Sequence, residues 1–81
     1  MKLKITVMYF ASLRDRTGIA EEVINTESHD VKELFKYLND KYTFDLDPEY
    51  LRASVNDKYV DFNQKLNDHD TIIFIPPLAG G

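Results

Sequence analysis

An amphipathic segment near the middle of the chain limits the possible folds more than any other feature. Four apolar residues recur there at the spacing of one helix face: Val31, Leu34, Phe35 and Leu38. Asp30 and Glu33 have the spacing of a capping box at the start of this helix. A chain of 81 residues has room for one modest core, so the apolar face of the helix has to be buried against a sheet.

Alternating residues predict the strands of that sheet. The predicted strands span residues 2–10, 21–26, 51–55, 59–62 and 71–75, with a hairpin turn at Asn56-Asp57-Lys58 and a loop over residues 43–50. A short helix is predicted over residues 11–17, because Gly18 can adopt the left-handed conformation that ends helices. This order predicts an α+β fold of the β-grasp (ubiquitin-like) type, in which a mixed sheet wraps around one main helix.

The residues after the last strand carry the clearest functional signal. They are, in order, Pro76, Pro77, Leu78, Ala79, Gly80 and Gly81. The two prolines stiffen the chain, and the side chains then become smaller until the last two residues have none. A Gly-Gly end is a weak signal by itself, but a merely flexible terminus is usually polar, and Leu78 and Ala79 are apolar. Six extended residues reach roughly 20 Å, enough to carry the Gly81 carboxylate into another protein. We therefore expect a β-grasp domain over residues 1–76 and a flexible tail over residues 77–81.

The carboxylate of Gly81 can carry chemistry only after ATP-dependent activation, because a carboxylate is a poor electrophile. The chain has no phosphate-binding loop, so we expect a separate enzyme to use the ATP and no cofactor to bind this chain. The activated carbonyl can accept sulfur to give a thiocarboxylate, or a lysine amine to give an isopeptide bond. A non-covalent binding module, in which the last two residues are dispensable, is a third class.

Composition and charge exclude several other functions. The chain has no cysteine, and its two histidines lie forty positions apart, so we expect no disulfide and no metal site. A net charge of −4 argues against nucleic acid or an anionic membrane as a partner. The first residues lack an apolar signal core, so the expected location is the cytoplasm.

The last predicted strand is apolar on both faces. Ile72 and Phe74 can face the helix, which leaves the other face of the sheet with Met8, Phe10, Ile73 and Ile75. One helix cannot cover both faces, so either a loop folds over the second face, or its exposed apolar residues have no special role, or a partner covers it. A contiguous apolar patch on a small domain is more often an interface. The sequence therefore predicts a protein partner that docks on this second face.

Three segments resemble the small subunit of molybdopterin synthase. They are residues 7–14 (VMYFASLR), residues 53–56 (ASVN) and residues 66–81 (LNDHDTIIFIPPLAGG). Residues 19–50 match that family in pattern more than in identity. Related sulfur carriers, such as that of thiamine biosynthesis, also end in Gly-Gly, but Phe10-Ala11 with Arg14 and the Pro76-Pro77 pair favour the molybdopterin family. Ile75 is a departure, because family members often have an aromatic residue there.

The resemblance implies a function for the end of the chain. Gly81, preceded by Gly80, would be adenylated by an adenylyltransferase related to ubiquitin-activating enzymes and converted to a thiocarboxylate. It would then donate sulfur to cyclic pyranopterin monophosphate in the large synthase subunit, within a heterotetramer. This chain would be the non-catalytic sulfur-donor subunit of the enzyme, with the catalytic side chains on the large subunit. The implied partner contacts are Phe10, Arg14, Tyr59, Ile73, Ile75, Pro76, Pro77, Leu78 and Ala79. The alternatives are a ubiquitin-like protein modifier and a thiamine-type sulfur carrier.

Overall fold

The structure is a computed structural model that describes residues 2–76. Its strands are β1 (Leu3–Tyr9), β2 (Glu21–Thr26), β3 (Arg52–Val55), β4 (Lys58–Val60) and β5 (Thr71–Ile75). Its α-helices are α1 (Ala11–Thr17) and α2 (Val31–Tyr42), and Pro48–Tyr50 form one turn of 3₁₀ helix. Within the described residues, no helix is long and apolar enough to cross a membrane.

The strands form one mixed sheet in the order β2-β1-β5-β3-β4. β1 and β5 are parallel neighbours, while the other paired strands are antiparallel. The first and last strands therefore lie side by side in the middle of the sheet, and α2 packs across one face. This arrangement confirms the predicted α+β fold, a mixed sheet wrapped around one main helix.

The main helix begins where the capping pattern predicts. The Oδ1 atom of Asp30 accepts a hydrogen bond from the backbone N–H of Glu33 at 2.8 Å, which satisfies one of the free N–H groups at the helix start. The Glu33 side chain reaches back to the N–H of His29 at 2.6 Å, one residue earlier than in a standard capping box. The four apolar residues of the predicted stripe are buried: Val31, Leu34, Phe35 and Leu38.

Side chains from the sheet, from the loops and from α1, which contributes Leu13, complete the core under α2. From the sheet come Ile5, Val7, Tyr9, Ala53, Val55, Ile72 and Phe74, all buried. Phe44 and Leu66 enter the same cluster from the loops that flank the middle of the chain. Phe35 lies at the centre, because its ring contacts those of Phe44, Phe62 and Phe74 with centroids 5.2–6.2 Å apart.

The hairpin in the second half of the chain is shorter than predicted. Asn56 and Asp57 both have positive φ angles, 52° and 72°, as a two-residue type I′ turn requires. Lys58 therefore begins β4 instead of belonging to the turn, and β4 ends at Val60 rather than at residue 62. The predicted loop over residues 43–50 contains the 3₁₀ turn, which starts where Oδ1 of Asp47 accepts a hydrogen bond from the N–H of Glu49 at 2.9 Å.

Candidate functional site

The side of the sheet away from α2, here called the open face, has no helix packed against it within residues 2–76. Strand alternation assigns its residues: Ile72 and Phe74 are fully buried on the helix side, while Ile73 and Ile75 are half-buried on the open face. Phe10 directly follows β1 and is 46% exposed. By the same alternation the other side chains of the open face are Lys4, Thr6, Met8, Glu21, Val23, Asn25, Arg52, Ser54 and Tyr59. The open face is thus apolar around β5, Met8 and Phe10, as the last strand predicts, and carries polar and charged side chains toward β2 and at Arg52.

A row of side chains crosses the open face at its centre. Met8 pairs with Ile73, Ile73 with Ser54, and Ser54 with Tyr59. Tyr59 is 71% exposed and stands at the β4 edge. Two of the predicted contact residues, Ile73 and Tyr59, therefore share one row, separated by the small side chain of Ser54.

A second row lies nearer to the end of β5. Tyr9 pairs with Phe74 in the parallel β1–β5 register, so Phe10 comes next to Ile75. On the other side of β5, Arg52 pairs with Ile75. Phe10 and Ile75 are predicted contacts that the structure brings together, whereas nothing in the sequence pattern singled out Arg52. Its place becomes visible only through the pairing of β3 with β5.

Arg14 belongs to α1, which starts directly after Phe10. Its backbone N–H donates a hydrogen bond to the Phe10 carbonyl oxygen at 3.4 Å, and its own carbonyl accepts one from Gly18 at 2.8 Å. Gly18 has a φ of 78°, so it ends this helix as predicted. The Arg14 side chain is exposed. The fold therefore places Arg14 one helical turn from Phe10.

The tail falls mostly outside the described part of the chain. Pro76 directly follows β5 and is buried in the free chain, and its contact with a partner stays a prediction. Five predicted site residues lie outside the described residues: Pro77, Leu78, Ala79, Gly80 and Gly81. The structure does show where the tail begins. β5 ends at Ile75, which lies on the open face between Phe10 and Arg52.

The two histidines do not form a metal site in the described residues. His29 Nδ1 lies 3.5 Å from the Glu33 carboxylate, and His69 Nε2 lies 3.3 Å from that of Asp68. Both imidazoles are more than 70% exposed. Residues 2–76 contain no group of three His, Cys, Asp or Glu side chains arranged to hold a metal ion.

A polar cluster on the helix side of the sheet was missed at the sequence level. Oε2 of Glu22 accepts hydrogen bonds from the hydroxyls of Tyr9 and Tyr42, at 2.5 and 2.6 Å. Lys41 Nζ lies 3.9 Å from the other carboxylate oxygen. Burial, followed by the Glu22 carboxylate, raises the pKa of Tyr42 to about 12 and moves the pKa of Tyr9 well above its usual range. Strand alternation could have found the cluster, since Glu22 has the parity of Ile24, which faces the core.

The fold and the site together define a class of protein. A mixed sheet wrapped around one main helix is the architecture of a ubiquitin-like β-grasp protein. The chain belongs to the ThiS family, whose sequence model matches residues 7–81.

Individual relatives support this family assignment and agree with the resemblance found in the sequence. The molybdopterin synthase sulfur carrier subunit of Escherichia coli (strain K12) is 30% identical over 80 residues, which are 95% of this chain and 99% of the relative. The structure of molybdopterin converting factor, subunit 1, from Pyrococcus furiosus matches with 28% identity and a TM-score of 0.79, covering 94% of this chain and 99% of that one.

Two further structures bear on partners and on the alternative function. A chain of the protein–protein complex of subunits 1 and 2 of molybdopterin-converting factor from Helicobacter pylori 26695 matches with 28% identity and a TM-score of 0.65, covering 98% and 100% of the two chains. Small archaeal modifier protein 1 from Methanosarcina acetivorans matches with 21% identity and a TM-score of 0.79, covering 100% and 99%. The second likeness shows the fold alone, so the fold is common to sulfur carriers and protein modifiers.

Proposed function

We propose that this chain is the sulfur-carrier subunit of a molybdopterin synthase. The carboxylate of Gly81 is adenylated by a separate adenylyltransferase that uses ATP, and one of its oxygens is then replaced by sulfur. The thiocarboxylate enters the active site of the large synthase subunit and gives its sulfur to cyclic pyranopterin monophosphate. The observation that carries this proposal is the 30% identity to the E. coli sulfur carrier subunit across 95% of the chain.

The geometry of the described residues supports the docking step. The open face places Phe10 and Ile75 side by side where the chain leaves β5, so a protein seated on this face is positioned to receive the tail. The H. pylori relative is a subunit 1 solved in complex with subunit 2, which supports a large subunit as the occupant. The assembly we propose is a heterotetramer in the cytoplasm.

The chain acts as a donor in this scheme and not as a catalyst. Its contributions are the fold, the open face and the group at Gly81, while the large subunit supplies the catalytic side chains. Adenylation makes the terminal carbonyl electrophilic, because AMP is a far better leaving group than oxide. The chain itself needs no bound cofactor for this role.

Intact-mass measurement of the protein purified from its native cells tests the proposal. A fraction of the molecules should carry the mass change of one oxygen replaced by sulfur, and this fraction should disappear in cells that lack the activating enzyme. Molecules joined to lysines of other proteins, with no sulfur-bearing form, would instead identify a protein modifier. The mass spectrum therefore separates the two functions that share the fold.

A further inference from the structure

We propose that Arg52 binds a carboxylate of the protein that docks on the open face. This inference rests on the proposed function, because it takes that protein to be the large synthase subunit. It adds the chemistry of one contact: an acidic side chain of the partner, next to the point where the tail enters it. Arg52 is then a specificity-determining residue for docking.

The position of Arg52 follows from the register of β3. Ala53 and Val55 are buried on the helix side, so Arg52 has the opposite parity and belongs to the open face. Its cross-strand neighbour is Ile75, the last residue of β5. The exposed Arg52 side chain therefore lies beside the apolar surface at the point where the chain leaves the sheet.

Arg52 has no ionic partner of its own in the described part of the chain. No acidic side chain of residues 2–76 lies within 4.0 Å of its guanidinium group. This is notable because the chain has 14 acidic residues against 10 basic ones. Glu49 and Asp61 line the same groove as Arg52, yet neither forms an ion pair with it. The guanidinium is thus available to another molecule.

Docking on the open face would change the surroundings of this charge. A partner that covers Ile75 and Phe10 removes water from the neighbouring guanidinium, which cannot lose its proton. Burying a charge without a partner is costly, so an interface that forms here needs an acceptor at Arg52. A carboxylate offers two oxygens that match the fork of the guanidinium group.

A protein carboxylate fits this position better than a free anion. Among the described residues lining the groove, Arg52 is the one basic side chain, while Glu49 and Asp61 repel a diffusing anion. A free phosphate needs several converging donors to overcome that repulsion. A partner carboxylate needs fewer, because the apolar contacts around Ile75 and Phe10 already hold it in place.

The test compares variants of the full chain for binding to the purified large subunit of the same organism, by calorimetry. We expect Arg52→Gln to weaken binding at least about tenfold and Arg52→Lys to weaken it less, because lysine keeps the charge but loses the fork. Lys36→Gln removes an exposed positive charge from α2, on the other side of the sheet, and should leave the Kd unchanged. Raising the salt concentration should weaken the wild-type complex more than the Arg52→Gln complex.

Each result has a distinct meaning. Wild-type affinity for Arg52→Gln, with weakened binding by Ile75→Asp, overturns the inference and leaves docking on the open face intact. Unchanged affinity for Arg52→Gln with slower sulfur transfer means that Arg52 serves the phosphate of the substrate, which also overturns it. If the wild-type chain does not bind the large subunit at all, the proposed function is wrong, and the inference about Arg52 is overturned as well. Melting curves show that each variant is folded.

Discussion

The hydroxyl groups of Tyr9 and Tyr42 share one acceptor, the Oε2 atom of Glu22, at 2.5 and 2.6 Å. Their rings meet edge to face with centroids 6.0 Å apart. Tyr9 comes from a central strand, Glu22 from an edge strand and Tyr42 from the end of α2, so three elements meet at one carboxylate. The edge strand β2 is therefore fastened to the main helix by side chains as well as by its backbone pairing with β1.

Removal of the shared acceptor should destabilise the fold. We expect Glu22→Ala to lower the free energy of unfolding by about 1–3 kcal/mol, because it leaves the buried Tyr9 hydroxyl without an acceptor. Glu21→Ala is the matched control: Glu21 is exposed and has the opposite parity, so its loss should change stability by no more than about 0.5 kcal/mol. Urea unfolding of both variants checks this, and equal stabilities would show that the cluster contributes nothing.

The same cluster should make stability fall at alkaline pH. Burial and Glu22 raise the pKa of Tyr42 from 10.0 to about 12, so the folded state favours the neutral hydroxyl more than the unfolded state does. The resulting stabilisation is complete below the unfolded pKa of 10.0 and is lost as the pH rises through about 12. Unfolding free energies measured across this range should decline, and Tyr42→Phe should decline less. Parallel curves for the two proteins would contradict the assignment.

Phe10 offers the cleanest test of the open face as a docking surface. We expect Phe10→Asp to weaken binding to the large subunit at least about tenfold, because an unpaired charge enters a desolvated contact. Its melting temperature should stay close to that of the wild type, since Phe10 is 46% exposed in the free chain. Tyr37→Asp is the control, because Tyr37 is an aromatic residue of similar exposure, 48%, on α2. Equal binding by both variants would place the interface elsewhere.

Deletion of Gly81 should separate folding from sulfur transfer. Among residues 2–76 the buried core runs from Ile5 to Phe74, and we expect the shortened chain to melt at the wild-type temperature. It should transfer no sulfur. The terminal carboxylate then belongs to Gly80, and the tail is one residue too short to bring it to the position where Gly81 reacts in our proposal. A reconstituted assay with activating enzyme, ATP, a sulfur source and the large subunit measures this. Sulfur transfer by the shortened chain at the wild-type rate would rule out a reaction at Gly81.

The parts of this fold that depend on neighbouring residues could be predicted from the sequence. The start of α2 follows from the Asp30 cap and its buried face from the apolar stripe, and the faces of Phe10 and Ile75 follow from simple alternation. These features depend on backbone periodicity, which is local. The partner contacts assigned through the resemblance, together with the tail after Pro76, remain predictions.

The features that were missed depend on pairing between distant segments. Arg52 becomes a neighbour of Ile75 only when β3 pairs with β5, and Glu22 reaches Tyr42 only when α2 crosses the sheet. The boundary of β4 was wrong because the turn conformation at Asn56 and Asp57, with φ positive at both residues, decides where pairing resumes. The alternation of apolar and polar residues along one strand does not determine how that strand pairs with another.

The central position of β5 has a consequence for how the protein is made. Synthesis proceeds from the first residue, so the strand that joins β1 to β3 leaves the ribosome last. Without β5, β1 can pair only with β2 and β3 only with β4, and isolated pairs of strands are marginal in water. A product truncated before residue 71 lacks Ile73 and Ile75 and cannot form the open face. We therefore expect a chain to form the sheet, and with it the open face, only once it has been synthesised through β5.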